Sequence, residues 1–232
     1  MILKKRTKPL QLQKLEALYR RIPPEHPKHS TVKESLNRMQ AGFKSEQSID
    51  YPLSFLSPKN YFIIHDIRFF DGSHFFQIDT LILTKQYFLI LEVRNISGTI
   101  TFNCASRQLV RQIDGKEEAF TDPLIQIGRQ QYQLNKWLQH HGVSSIYIEG
   151  LVIVANERTV INIPDQSCYS ERVMPSPVLP NRIQKLDEKY KTRRRSMKEL
   201  KNISEKIVEL HTELDQEILD RFNILKSDYY QE

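Results

Sequence analysis

Residues 75–95, FFQIDTLILTKQYFLILEVRN, constrain the fold more than any other part of the chain. Two runs rich in β-branched and aromatic residues flank TKQY (84–87), the only turn-like residues in the stretch. The pattern predicts a β-hairpin, with strands over 75–84 and 87–95. A loop at Lys85-Gln86 pairs Thr84 with Tyr87, which sets Asp79 opposite Glu92 and Gln77 opposite Arg94. A bulge or an odd-length loop would put the two acids on different faces. In the even register the four polar side chains share one face, with Cβ atoms of opposed pairs about 5 Å apart.

Two carboxylates this close in an apolar setting repel, and one takes up a proton unless a cation intervenes. Their oxygens suit a hard ion such as Mg²⁺ or Mn²⁺, which keeps waters in its remaining positions. An ion so placed acidifies a bound water and polarises a phosphate, the two requirements for cleaving a phosphodiester. Arg94, on the same face, would stabilise charge growing on the phosphoryl oxygens. A second reading stands beside this one, in which Arg94 pairs with Glu92 or Asp79 in a buried ion network without metal.

Around the hairpin the periodicity predicts a mixed α/β arrangement. Leu12, Leu15, Leu18 and Tyr19 lie at helical spacing after Pro9. A second helix starts at STVKES, where Thr31 and Glu34 are spaced as a capping box. Gly42 is expected to loosen the chain before a further helix, KSEQSIDYPLSFL, with Glu46 in its first turn and Pro52 as a kink. From residue 61 the period becomes β: YFIIHDIRFF, the hairpin, GTITFN and RQLVRQI, closed by the turn signal Asp114-Gly115. Asp122 caps a helix from Pro123 to about His140, and IYIEGLVIVAN reads as a strand buried on both faces. RTVINI is a short strand after it. Residues 164–180, with Pro164, Pro175, Pro177 and Pro180, read as an irregular connection, and 181 to about 228 as helical. Leu200, Ile203, Ile207, Leu210 and Leu214 there form an apolar stripe, read as a face packed on the sheet. The boundaries follow as an N-terminal helical extension (1–40), a core (41–163), and a Pro-rich connection with C-terminal helices (164–232).

Charge is unevenly spread. Residues 1–44 hold 11 Lys/Arg against 3 Asp/Glu and 182–206 hold 10 against 4, whereas 45–181 hold 11 against 14. A mildly acidic centre between basic segments fits a metal-binding core with phosphate-binding margins; solvated helix faces give the same counts. KYKTRRR (189–195) is the most basic stretch, read either as a grip on a phosphate backbone or as an exposed link between helices. Cys104 and Cys168 form no CxxC and read as reduced thiols, and no GxGxxG, GxxxxGK[ST] or HExxH occurs. No apolar run is long enough for a membrane helix, and the N-terminus lacks a secretory core, so a cytoplasmic protein is expected.

Asp79 followed by Glu92-Val93-Arg94 resembles the PD-(D/E)xK motif of the restriction-endonuclease-like superfamily. More closely, GFKSEQSI, FQIDTLILTKQYFLILEVRNISGTI and DPLIQIGRQ, within about residues 40–155, resemble the nuclease-related domain (NERD) family. The resemblance implies a mixed β-sheet core flanked by helices, a metal-dependent nuclease activity on DNA, and Asp79 and Glu92 as ligands of Mg²⁺ or Mn²⁺. It also implies residue 94 as the catalytic basic position, Glu46 as a further acid, Gln77 as a hydrogen-bonding neighbour and Gln126 as a polar helper on the interior helix. The family pattern has Lys where this chain has Arg94. Lysine can orient or deprotonate a water when its pKa is lowered, whereas arginine serves as an electrostatic clamp. The expected function is therefore metal-dependent phosphodiester hydrolysis of DNA. Its rivals are a catalytically degenerate module of the same fold that binds nucleic acid or protein, and an assembly role for the C-terminal helices.

Overall fold

The computed structural model describes residues 1–103, 105–143, 146–163, 169–191 and 195–228. Cys104, Cys168, Pro164 and residues 192–194 of the basic run lie outside the described residues. The strands in chain order are β1 (Ile2–Lys4), β2 (Phe62–Phe70), β3 (Phe75–Leu83), β4 (Tyr87–Arg94), β5 (Thr99–Asn103), β6 (Gln108–Ile113), β7 (Lys116–Thr121), β8 (Tyr147–Val154), β9 (Val160–Asn162) and β10 (Val173–Pro175). The helices are α1 (Leu10–Arg21), α2 (His29–Ser48), α3 (Asp50–Leu53), α4 (Pro123–His140), α5 (Leu179–Lys189), α6 (Met197–Glu209) and α7 (Ile218–Phe222).

The chain divides into two compact units. One, of Met1–Lys5 and Ser45–Thr212, holds the ten described strands in a mixed α/β arrangement flanked by helices. Its larger sheet has the order β1-β2-β3-β4-β8-β10; the smaller one runs β7-β6-β5-β9. The second unit, of Arg6–Lys44 and the chain from Glu213, is helical, with a core of Leu12, Leu15, Leu18, Ile22, Val32, Leu36, Ile218, Phe222 and Ile224.

Two sheets stand where the sequence suggested one. After β4 the chain turns through Gly98 at φ +88°, where a Cβ would lie 2.4 Å from the Gln112 carbonyl oxygen. Only glycine fits so close to the next hairpin, and β5 leaves the β4 plane to pair with β6. β4 itself continues in parallel with β8 along its whole length, Tyr87 opposite Tyr147 to Arg94 opposite Val154. β8 lies between β4 and β10 with both faces of the sheet covered, which explains its unbroken apolar run.

The larger sheet buries both faces. On one, Leu134, Trp137 and Leu138 of α4 and Leu200, Ile203 and Ile207 of α6 meet Ile64, Ile78, Leu81, Phe88 and Ile90. Against the other lie Ile49, Leu53 of α3, and Leu179, Ile183 and Leu186 of α5, facing Ile63, Ile82, Leu89 and Leu91. Helix α4 lies hard on β8: a Cβ on Gly150 would stand 2.2 Å from Ile127 Cγ2.

Several expectations need correction. Gly42 does not interrupt the helix; α2 runs through it to Ser48, so Glu46 sits in a last turn rather than a first. A single glycine costs only about 1 kcal/mol in a helix, and the stripe Val32, Leu36, Met39 and Phe43 packs on both sides of it. The region from 181 to 228 is not one helical stretch, because Ser196 and Glu199 form a reciprocal capping box that starts α6 afresh and α6 ends at Glu209. Of the apolar stripe, Leu200, Ile203 and Ile207 pack on the sheet, while Leu210 is exposed. Within the connection placed at 164–180, Val173–Pro175 form an edge strand parallel to β8. Among the described residues, no helix is long and apolar enough to cross a membrane.

Candidate functional site

The predicted register is present. β3 and β4 pair from Leu83–Phe88 to Thr80–Leu91, and continuing the count sets Asp79 against Glu92. The recorded ladder stops just short of the acids. In place of a backbone partner, Val93 N–H donates to Asp79 Oδ2 at 3.0 Å. A side chain has taken the ladder's role at the point where the strands part.

The parting has a cause in β2 and β3. Toward α4 and α6, β3 presents Phe76 and Ile78 and then Leu81 and Leu83; β2 presents Phe62 and Ile64 and then Ile67 and Phe69. Both strands change parity at the same place, around Asp66 and Asp79, which the β2–β3 register sets opposite each other. Asp66 has φ +49°, a left-handed conformation that aspartate tolerates better than most residues. Strict alternation over β3 therefore fails. Gln77 does not face Arg94; its amide donates to Asp66 Oδ1 at 2.7 Å.

Glu92 follows Phe88 and Ile90 on the α4 side and is 3% exposed. Gln130 Nε2 donates to Glu92 Oε2 at 3.0 Å and to the Gln77 carbonyl at 2.9 Å. Arg94 Nη2 lies 3.2 Å from Glu92 Oε1 and donates to Gln126 Oε1. Burial first, and the neighbouring Asp79 charge second, push the Glu92 carboxyl up to about 7; Arg94 and the two glutamines oppose the rise. The structure thus brings together Asp79, Glu92, Arg94 and Gln126. Gln77 reaches the site through its backbone, and Glu46 is half-buried on α2. Among the described residues, no three of His, Cys, Asp and Glu gather as a metal-holding group.

Helix α4 delivers the two glutamines, and its start is fixed firmly. Asp122, fully buried, caps it by accepting from Leu124 N–H at 2.8 Å, and Tyr169 Oη donates to the other carboxylate oxygen at 2.9 Å. Pro123 occupies the first turn, where no N–H is needed. Gln130 is a residue that sequence reasoning missed. Its signal is there, since Gln126 and Gln130 are four apart and so share a helix face. Asp66 was also missed, and alternation gives no sign of it.

Whether this set can hold a divalent ion rests on the donors and on one orphaned atom. Both Gln130 N–H groups are committed to acceptors, which fixes the amide and leaves its Oε1 buried with no hydrogen-bond partner. Such an acceptor beside Glu92 is matched by a water on a cation. Two carboxylates, with waters and a substrate phosphate completing the shell, are an ordinary Mg²⁺ donor set. Each Glu92 oxygen keeps a second lone pair beyond its bond to Arg94 or Gln130. The residues fit the ion.

Residues 41–155 match the family model of the nuclease-related domain, NERD. No curated protein and no solved structure matches the chain.

Proposed function

We propose, from the match of residues 41–155 to the nuclease-related domain model, that the chain hydrolyses phosphodiester bonds of DNA with Mg²⁺ or Mn²⁺ held by Asp79 and Glu92. The observation that carries this reading is Glu92: a buried carboxyl, charged against Asp79, at the place where β3 and β4 part. When bound, the ion would acidify a water and polarise the scissile phosphate. Asp79 supplies a carboxylate oxygen and is held in place by the Val93 amide. Glu92 supplies a second, steered by Gln130. Arg94, held between Glu92 and Gln126, would supply a guanidinium to a substrate phosphoryl oxygen. Gln130 Oε1 would accept a hydrogen bond from the attacking water and so orient it.

The arrangement of two acids and a basic residue on parting strands is in keeping with the PD-(D/E)xK pattern, with arginine in the lysine place. One observation favours a second reading. Arg94 rests on Glu92, so a protein cation already offsets part of the charge a metal would neutralise. In that reading the fold binds nucleic acid without cutting it.

Incubating supercoiled plasmid with the protein separates the two. The nuclease reading expects nicked and linear products in Mn²⁺ or Mg²⁺ and none in EDTA. Salt-sensitive binding with no cleavage in any divalent ion supports the second reading. Cleavage acquired only by Arg94→Lys would show that the arginine is what silences the site.

A further inference from the structure

A glycine inside a helix weakens it relative to alanine, and Gly128 stands in the interior of α4. A Cβ there would meet nothing within 4 Å, so no neighbouring atom calls for the missing methyl. Gly42 in α2 is equally bare. What sets Gly128 apart is the cleft it lines, of about 580 Å³, between α4 and the β2–β3 turn. Ile125, Arg129 and Tyr132 of α4 line the same cleft with Ser73 and His74 of the turn. Ile125 lies three residues before Gly128 and Tyr132 four after it, so both share its helix face and the bare backbone forms a floor between them. Tyr132 is 71% exposed.

Charge at this cleft favours an anion. Asp71 also lines it, but its carboxylate is 4% exposed and compensated. Oδ1 accepts from the Ser73 and His74 amides at 2.8 and 2.9 Å, Oδ2 from Gln133 Nε2 at 3.1 Å, and Lys136 Nζ lies 3.8 Å from Oδ1. Asp71 and Lys136 thus offset each other. Among the described residues Arg129 makes no ion pair, which leaves its guanidinium as the cleft's uncompensated charge. The cleft also continues the candidate site. Gln126, Arg129 and Gln133 follow one another along one side of α4, and Gln126 is the residue that accepts from Arg94. Neighbours three apart on a helix have Cβ atoms about 5–6 Å apart, so Arg129 stands one step from the site.

We infer that this cleft is a subsite for one nucleotide of the substrate strand, the unit next to the scissile phosphate. The base, out of its stack, lies over the Gly128 backbone against the Tyr132 ring, and Arg129 meets the phosphate. A flat ring gains from a floor without a side chain, because a methyl at position 128 would lift it off the backbone. The inference rests on the nuclease-related reading and adds that a base must leave its stack to be held.

The test is fluorescence anisotropy in EDTA, which prevents metal-dependent cleavage, with a labelled oligothymidylate and an abasic oligonucleotide of equal length. The parent should bind the oligothymidylate roughly tenfold more tightly, the order of one base–ring stack. Gly128→Leu should raise the melting temperature by about 2–4 °C, because leucine is the better helix former, yet bring oligothymidylate binding down to the abasic level. Gly128→Ala should move both readings the same way by less, and Gly42→Ala should leave the preference for bases intact. Tyr132→Ala should lose that preference and Tyr132→Phe keep it, since the ring and not the hydroxyl is used. Arg129→Gln should weaken both oligonucleotides alike and flatten the salt dependence. A Gly128→Leu protein that melts higher and still prefers bases, or a parent that shows no preference or no binding, would overturn the subsite. If that variant also cuts as the parent does in Mn²⁺, the nuclease reading stands without it. A preference that Gly128→Leu removes, in a parent that no divalent ion makes cut, overturns the nuclease reading and leaves the nucleotide-binding cleft standing.

Discussion

Changing Asp79 to asparagine is expected to lower divalent-ion-dependent cleavage by roughly 10²–10³ or more while leaving the fold intact. Asparagine keeps a side-chain carbonyl, which still accepts from Val93 N–H, so the junction of β3 and β4 keeps its bond. Only the charge is lost. Without it, Glu92 has one repulsive neighbour fewer, and its carboxyl falls back toward the ordinary range. The variant should therefore melt at the parent's temperature or above it, and a plasmid-nicking assay beside a melting curve reads both halves. Loss of activity accompanied by a large fall in melting temperature would instead mark Asp79 as a structural residue.

Substituting Glu92 by glutamine should stabilise the metal-free protein above neutral pH and abolish its response to divalent ions. A carboxyl raised to about 7 in the folded chain and ordinary in the unfolded one binds more protons when folded between those values. Stability from this group is present in full below about pH 4.5, is lost as pH rises through about 7, and is level beyond. The span is on the order of 3 kcal/mol. Glutamine removes the titration, so parent and variant should unfold alike near pH 4.5 and diverge toward pH 8, with the variant the more stable. Mn²⁺ supplies the missing positive charge and should raise the parent's melting temperature at pH 8 but not the variant's. Parallel pH dependence in the two proteins would show that Glu92 is not the group under strain.

Much of this was legible in the residues because local chemistry and tertiary packing agree. Lys85-Gln86 fixed the register from Leu83–Phe88 to Thr80–Leu91, and Asp122-Pro123 marked the start of α4. The apolar run of β8 announced a strand with neighbours on both sides and both faces covered. Illegible features depended on distant partners. Asp66 and Asp79 shift parity together because two strands carry matching irregularities, and neither strand betrays this alone. Gln77 was consequently aimed at Arg94 when it bonds Asp66. The strands β1 and β10 are short edge elements whose pairing comes from the sheet they join, not from their own patterns. Gly42 misled because a breaker was weighed without the packing stripe around it. By contrast, Ser196 and Glu199 were a readable helix start, hidden by the basic run before them.

Anomalous diffraction from crystals soaked in Mn²⁺ tests the pairing of Asp79 and Glu92 most directly. The expected result is one strong peak bridging their carboxylates, with Arg94 drawn off Glu92 and a water between the ion and Gln130 Oε1. A map with no peak there, and Arg94 still seated on Glu92 at saturating Mn²⁺, would contradict it.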